Sequence, residues 1–197
     1  MRHISKYSKA MVYNGAMARD TTRLLYSHDK IQKRVKEIAV EICKDYQGKK
    51  PILVGILKGS FVFLADLLRE LYACGLKDVE VDFLTISSYG HGTEYSGSST
   101  LLSEMTLDVK GKDVLLVEDI IDTGYTLRFV KEYLKEKHPA SVKIVTILDK
   151  KERREVDVPV EYVGFTLKGS PWVEGYGLDG GKYGRGRSDV VEKILTK

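Results

Sequence analysis

The stretch VLLVEDIIDTGYTL, Val114 to Leu127, decides how this chain folds. Its first four residues are aliphatic and read as a strand buried on both faces, as in a parallel sheet. Glu118 and Asp119 follow, then Ile120 and Ile121, and Asp122-Thr123-Gly124 leads into a helical pattern. Strand, tight turn and helix in that order are half of a βαβ unit. Three carboxylates at the mouth of a buried strand cost desolvation energy unless cations or hydrogen-bond donors meet them.

Working outward, the same alternation continues in both directions. SHDKIQKRVKEIAVEICKDYQG places Ile31, Val35, Ile38, Ala39 and Ile42 on one helical face, with Ser27 or Asp29 able to cap its start and Gly48 its end. PILVGIL (51–57) is a second doubly buried strand, SFVFLADLLRELYACG a helix ending at Gly75, and VEVDFLTISS (79–88) a strand nearer the sheet edge. After the central stretch come a helix from Thr126 to Lys137 and the strand SVKIVTIL (141–148). The pattern predicts a doubly wound α/β fold with a mostly parallel sheet and helices on both faces.

The remaining segments are irregular. Residues 89–104, YGHGTEYSGSSTLLSE, read as a long loop rich in Gly, Ser and Thr, either mobile surface or a functional lid. The tail, with VEYVGFTL (160–167), WVEGYGL (172–178) and a Gly-rich end, reads as short strands and loops capping the sheet. The expected organisation is a loose N-terminal extension over residues 1–20 and a single domain over 21–197. Within it the core spans about 30–150, and a hood is built from the N-terminal and 151–197 segments. The extension carries four Lys/Arg against one acid, which suits a loose basic terminus or a targeting segment.

Composition narrows the function. At 197 residues, 43% apolar and 30% charged, with net charge +4, the chain has the balance of a globular domain with a mild preference for anions. It lacks the basic stripe interleaved with aromatics that nucleic-acid binding requires, and it has no apolar run long enough for a membrane span. Of the two cysteines, Cys43 and Cys74, neither has metal-ligand or pairing spacing, so both read as packing residues of a protein in a reducing, cytoplasmic setting.

In an open α/β sheet, ligands bind beyond the carboxyl ends of the strands, where Glu118 and Asp119 fall. The turn Thr123-Gly124-Tyr125-Thr126 opens a helix with backbone donors and hydroxyls, a cradle for a monophosphate. A cradle reads the anionic end of a ligand, and carboxylates read hydroxyls, a basic proton or a bound metal, so a sugar 5-phosphate satisfies both halves. The plainer alternative makes Asp122 a helix cap with solvated acids beside it. Neither a P-loop nor a dinucleotide Gly-x-Gly-x-x-Gly occurs in the expected place.

VLLVEDIIDTGYTL resembles the phosphoribosyl-pyrophosphate signature of type I phosphoribosyltransferases. GILKGSFVFLADL (55–67), ISSYG (86–90), PASVKIVTILDK (139–150) and GYGLD (175–179) resemble its 6-oxopurine branch, the hypoxanthine-guanine phosphoribosyltransferases. The likeness runs over nearly the whole chain beyond residue 20. It implies transfer of ribose 5-phosphate from phosphoribosyl pyrophosphate to a purine ring nitrogen, with Mg2+ on the donor and a homodimer or homotetramer as the assembly. The alternatives within the fold are a regulatory nucleotide sensor and an enzyme preferring xanthine.

Residue by residue, the resemblance implies that Glu118 and Asp119 hold the ribose hydroxyls and organise magnesium, and that Asp122 is the general base for the purine. Residues Thr123, Gly124, Tyr125 and Thr126 cradle the 5-phosphate. Lys58-Gly59 is either an ordinary βα turn or the pyrophosphate loop, in which relatives adopt a non-proline cis peptide. Ser88 and Tyr89 root the lid. Lys150, with Lys151 as a possible misregister, donates to the purine O6. Ile120 lines the base site, Trp172 stacks on the purine and Val173 reads its edge through the main chain. Asp179 is both a purine-side residue and a direct magnesium ligand, and Arg185 binds pyrophosphate, although YGRGRSDVVEKIL departs from the family pattern and leaves Arg187 open.

Overall fold

The computed structural model describes residues 21–88, 99–180 and 183–194. The chain runs β1 (Thr21–Tyr26), α1 (His28–Asp45), β2 (Ile52–Leu57), α2 (Phe61–Ala73), β3 (Glu80–Ser88), β4 (Ser99–Ser103), β5 (Asp113–Ile121), α3 (Tyr125–Glu136), β6 (Ser141–Asp149), β7 (Tyr162–Thr166), β8 (Val173–Glu174) and β9 (Val190–Ile194). Two sheets result, one of six strands ordered β4-β3-β2-β5-β6-β7 and one of three ordered β1-β9-β8.

The large sheet follows from the aliphatic runs. β2 and β5 pair in parallel, Ile52 opposite Val114 through Gly55 opposite Val117, and both are buried over those residues. Side chains alternate across β5: Leu115 and Val117 pack with α1 and α2, while Val114 and Leu116 pack with α3. A strand with apolar partners on both faces has no place for a polar side chain until it leaves the sheet. The chain winds outward from β2 through β3 to β4, and from β5 through β6 to β7 in the other direction. The order therefore reverses between β2 and β5, and ligands in such sheets bind at that switch point.

Several expectations are sharpened or corrected. Ser27 is the N-cap of α1, its Oγ accepting from the Lys30 N–H at 3.4 Å. The helix before Gly75 starts at Phe61, and α3 starts at Tyr125 after Gly124 at φ 93° with no side-chain cap, so Asp122 is not a capping residue. The segment read as one loop over 89–104 contains β4, antiparallel to the end of β3, because Leu101 is half-buried against the α3 side of the sheet. Residues 21–26 form β1 by pairing with β9. Cys43 and Cys74 are joined as a disulfide between the ends of α1 and α2, with Cα atoms 6.5 Å apart. A separation of 31 residues gave no hint of this, since only helix packing brings them together. The N-terminal extension 1–20 and Tyr89 lie outside the described residues, as does most of the expected lid. Among the described residues no helix is long and apolar enough to cross a membrane.

Candidate active site

A cleft of about 390 Å3 opens at the carboxyl ends of β2 and β5. Gly59, Glu118, Asp119, Ile120, Asp122, Thr126, Lys150, Trp172, Val173, Asp179 and Arg185 line it. With Ile86, residues from six separate stretches of sequence converge at the switch point. Thr123 and Gly124 border a smaller adjoining cavity of about 100 Å3 with Glu118, Asp122 and Thr126. The Thr123 carbonyl accepts from the Glu155 and Val156 N–H groups at 3.0 and 3.1 Å, which fixes the turn to the loop beyond β6. Gly124 sits so close to the Val156 carbonyl that a β-carbon would approach it to 2.9 Å. Tyr125 lines neither cavity, and the Arg128 guanidinium lies 5.1 Å from its ring centre.

The acidic pair occupies two environments. Glu118 is buried, 8% exposed, and its Oε2 makes no hydrogen bond among the described residues. Burial, and after it the charge of Asp119, push the Glu118 carboxyl well above the usual carboxylate range. Asp119 is half-buried, its Oδ1 accepting from the Ile120 N–H at 2.8 Å, and Gly59 lies directly against its carboxylate. A β-carbon at Gly59 would overlap that carboxylate, so any larger residue there displaces Asp119. The preceding Leu57–Lys58 peptide is cis, and Lys58 itself is exposed.

Asp122 is met on both oxygens. Lys150 Nζ donates to Oδ2 at 3.0 Å and Arg153 Nε to Oδ1 at 2.6 Å, the lysine side chain being 11% exposed and the carboxylate 38%. Two cations thus meet Asp122, the last of the three carboxylates. Arg153 also donates to Ser170 Oγ at 3.1 Å, linking the 3-10 turn Lys151–Arg153 to the segment before Trp172. Sequence reading passed over Arg153 because it lies in the charge run DKKERRE. Its signal was the spacing of three from Lys150, which one helical turn places on the same side. Lys151 borders a different cavity.

Across the cleft, Trp172 is 46% exposed and Val173 is buried. Arg185 pairs with Asp179 and donates to the Gly177 carbonyl at 2.7 Å, whereas Arg187 turns outward to Asp189 at 2.8 Å. Among the described residues no three Asp, Glu, His or Cys side chains gather as a ready-made metal cage. Ser88 ends β3, beside the cleft-lining Ile86.

Residues 22–179 match the phosphoribosyl transferase domain. The chain belongs to the phosphoribosyltransferase family. Within it, the chain is 46% identical over 160 residues to the hypoxanthine-guanine phosphoribosyltransferase of Streptococcus pneumoniae, covering 81% of this chain and 86% of that one. The corresponding Aquifex aeolicus protein is 44% identical over 169 residues, covering 85% and 92%. The crystal structure of a Bacillus anthracis hypoxanthine-guanine phosphoribosyltransferase superposes with a TM-score of 0.79 at 41% identity, covering 87% of this chain and 98% of that one. The fold is that of type I phosphoribosyltransferases, and the chain falls in the hypoxanthine-guanine branch of the family.

Proposed function

We propose that the protein transfers the 5-phosphoribosyl group of phosphoribosyl pyrophosphate to N9 of hypoxanthine or guanine, giving IMP or GMP and pyrophosphate in purine salvage. The observation that carries this reading is the meeting of Asp122, Lys150, Trp172 and the Glu118–Asp119 pair in one cleft at the switch point. Relatives sharing more than two fifths of their residues carry the same activity in their names.

In this reading the 5-phosphate sits in the small cavity at Thr123–Thr126, at the positive end of the α3 dipole. Glu118 and Asp119 take the ribose hydroxyls. The C1′–pyrophosphate bond breaks as the N9–C1′ bond forms, so positive charge builds on the sugar and negative charge on the leaving group. Arg185 and the Lys58–Gly59 loop face that negative charge. The purine stacks on Trp172, its O6 accepts from Lys150, and its N7 proton passes to Asp122. Lys150 then exchanges one acceptor for another, and Arg153 stays on Asp122. Ser88 and Tyr89 root the lid that excludes water.

The donor set suits a magnesium ion that arrives on the substrate. Asp179 on one side and Asp119 with Glu118 on the other offer few carboxylates around an open cleft, as Mg2+ prefers when substrate oxygens and water complete its shell. The ion supplies charge neutralisation on the leaving pyrophosphate. We assign residues 21–197 to one domain with the three-stranded sheet as hood, preceded by the 1–20 extension, and a homodimer or homotetramer as the assembly. The cytoplasmic location comes with the function and not from the cysteines, which are paired.

The test is nucleotide formation from phosphoribosyl pyrophosphate and Mg2+ with hypoxanthine, guanine, xanthine or adenine, followed spectrophotometrically. IMP and GMP formation with adenine inert is expected. No product from any base would remove the enzymatic reading and favour a sensor of the donor.

A further inference from the structure

The turn Gly175-Tyr176-Gly177 holds three consecutive residues at positive φ, 104°, 50° and 97°. Glycines adopt this conformation freely, but a tyrosine does so at a cost and persists there only when its surroundings impose it. Tyr176 is 1% exposed, so a buried aromatic ring sits at the centre of the turn. The phosphate and base sites described above do not use it.

Its surroundings explain the conformation. The Tyr176 hydroxyl donates to Asp66 Oδ2 at 2.8 Å, and Gln32 Nε2 donates to the same oxygen at 2.7 Å. Arg69 holds the other oxygen of Asp66 at 2.9 Å. Burial, and then the bond to Asp66, push the phenol well above its usual pKa and keep it a donor. The turn is therefore bolted through its side chain to α1 and α2. On its backbone side, Tyr176 N donates to the Arg187 carbonyl at 2.9 Å and Gly177 N to the Arg185 carbonyl at 3.0 Å. Gly177 lies so tightly on the Gly59 carbonyl that a β-carbon would overlap it, and Gly59 in turn abuts Asp119. A continuous stack thus runs from Asp119 through Gly59 and Gly177 to the Asp179–Arg185 pair.

We infer that Tyr176 is a positioning residue for the pyrophosphate end of the cleft: its hydroxyl, fixed on Asp66, pins the 175–179 turn against the Lys58–Gly59 loop, so that Asp179 and Arg185 face the donor. The inference rests on the phosphoribosyl transfer proposed above. It distinguishes the two substrates, because the purine side is held by Lys150 and Trp172, to which the tyrosine makes no hydrogen bond among the described residues.

Tyr176→Phe keeps the ring and removes only the oxygen. The KM for magnesium phosphoribosyl pyrophosphate and the half-saturating Mg2+ should each rise about fivefold, with the hypoxanthine KM within about twofold of wild type. Asp66→Ala, which removes the acceptor and leaves the tyrosine, should reproduce the same split. Asp66→Asn, which retains a carbonyl acceptor, should stay near wild type, and the double variant Tyr176→Phe/Asp66→Ala should be no worse than either single one. A tyrosine that merely stabilises the fold would lower the melting temperature and the active fraction while leaving both KM values unmoved. That outcome in Tyr176→Phe overturns the inference. If Tyr176→Phe does not fold, an unmoved donor KM in Asp66→Ala overturns it equally. Wild-type turnover on the same substrates separates the two levels: no nucleotide from wild type removes the function itself, whereas an active wild type with unmoved KM in the variants removes only the role of Tyr176.

Discussion

Lys150 and Asp122 are joined across the cleft, Nζ to Oδ2 at 3.0 Å, although 28 residues separate them. They stand at or just beyond the ends of the paired strands β5 and β6, where Lys150 N also donates to the Ile121 carbonyl at 2.9 Å. The carboxylate proposed to take the purine proton and the ammonium proposed to read its oxygen therefore hold each other in the free protein. A 6-oxopurine satisfies both at once. A 6-aminopurine presents a donor to the lysine and leaves it without an acceptor.

Lys150→Ala is expected to lower kcat/KM for hypoxanthine by on the order of 30-fold, the loss of one charged hydrogen bond, with little change for adenine. The ratio of the two kcat/KM values is the readout. An unchanged ratio would assign O6 recognition elsewhere.

Gly59→Ala puts a methyl group where the Asp119 carboxylate lies. Phosphoribosyl pyrophosphate affinity, measured by calorimetric titration with Mg2+, should fall at least about tenfold, since displacement by an ångström at a binding loop carries that cost. Binding of hypoxanthine, which the proposed reading stacks on Trp172, should be less affected than binding of the donor.

Much of this architecture was legible in the chain. Val114–Val117 and Ile52–Leu57 announce doubly buried strands, because short, β-branched-rich apolar runs bounded by turn residues fit a parallel sheet. The position of Glu118 and Asp119 beyond one of them located the cleft. What was hidden depended on partners distant in sequence. β1 is exposed over Thr21–Leu24 and exists because β9 pairs with it. β4 lies in a Gly- and Ser-rich stretch that no periodicity marks. Arg153 looked like one charge in a solvated run until the turn after β6 aimed it at Asp122. Cys43 and Cys74 met only through the packing of α1 on α2. Tyr176 gave no sign of its role because aromatic residues between glycines read simply as loop. That Arg185 lines the cleft while Arg187 pairs with Asp189 depends on the backbone of the tail, which no local pattern marks.

Glu118→Gln tests the cost of the acidic pair. Burial and the Asp119 charge raise the folded-state pKa of Glu118 above its usual 4.5. Below that value the group is neutral in both states and costs nothing. As pH climbs from there through the raised folded value, the unfolded chain releases its proton first, so the ligand-free protein loses stability. The glutamine variant lacks that loss. Its melting temperature should match wild type near pH 4 and exceed it by about 3 °C at neutral pH. Donor affinity should fall over the same range, which marks the carboxyl as a binding group kept at a cost to stability.

The central claim is that the three carboxylates after Val117 divide their work, Glu118 and Asp119 facing the sugar and Asp122 the incoming base. Turnover of Asp122→Asn at saturating phosphoribosyl pyrophosphate, with donor affinity measured on the same sample, tests that division most directly. The donor Kd should stay within about threefold of wild type and kcat should fall by at least about 100-fold, the scale of a lost general base. Wild-type turnover in Asp122→Asn, or donor affinity lost in parallel with kcat, would contradict it.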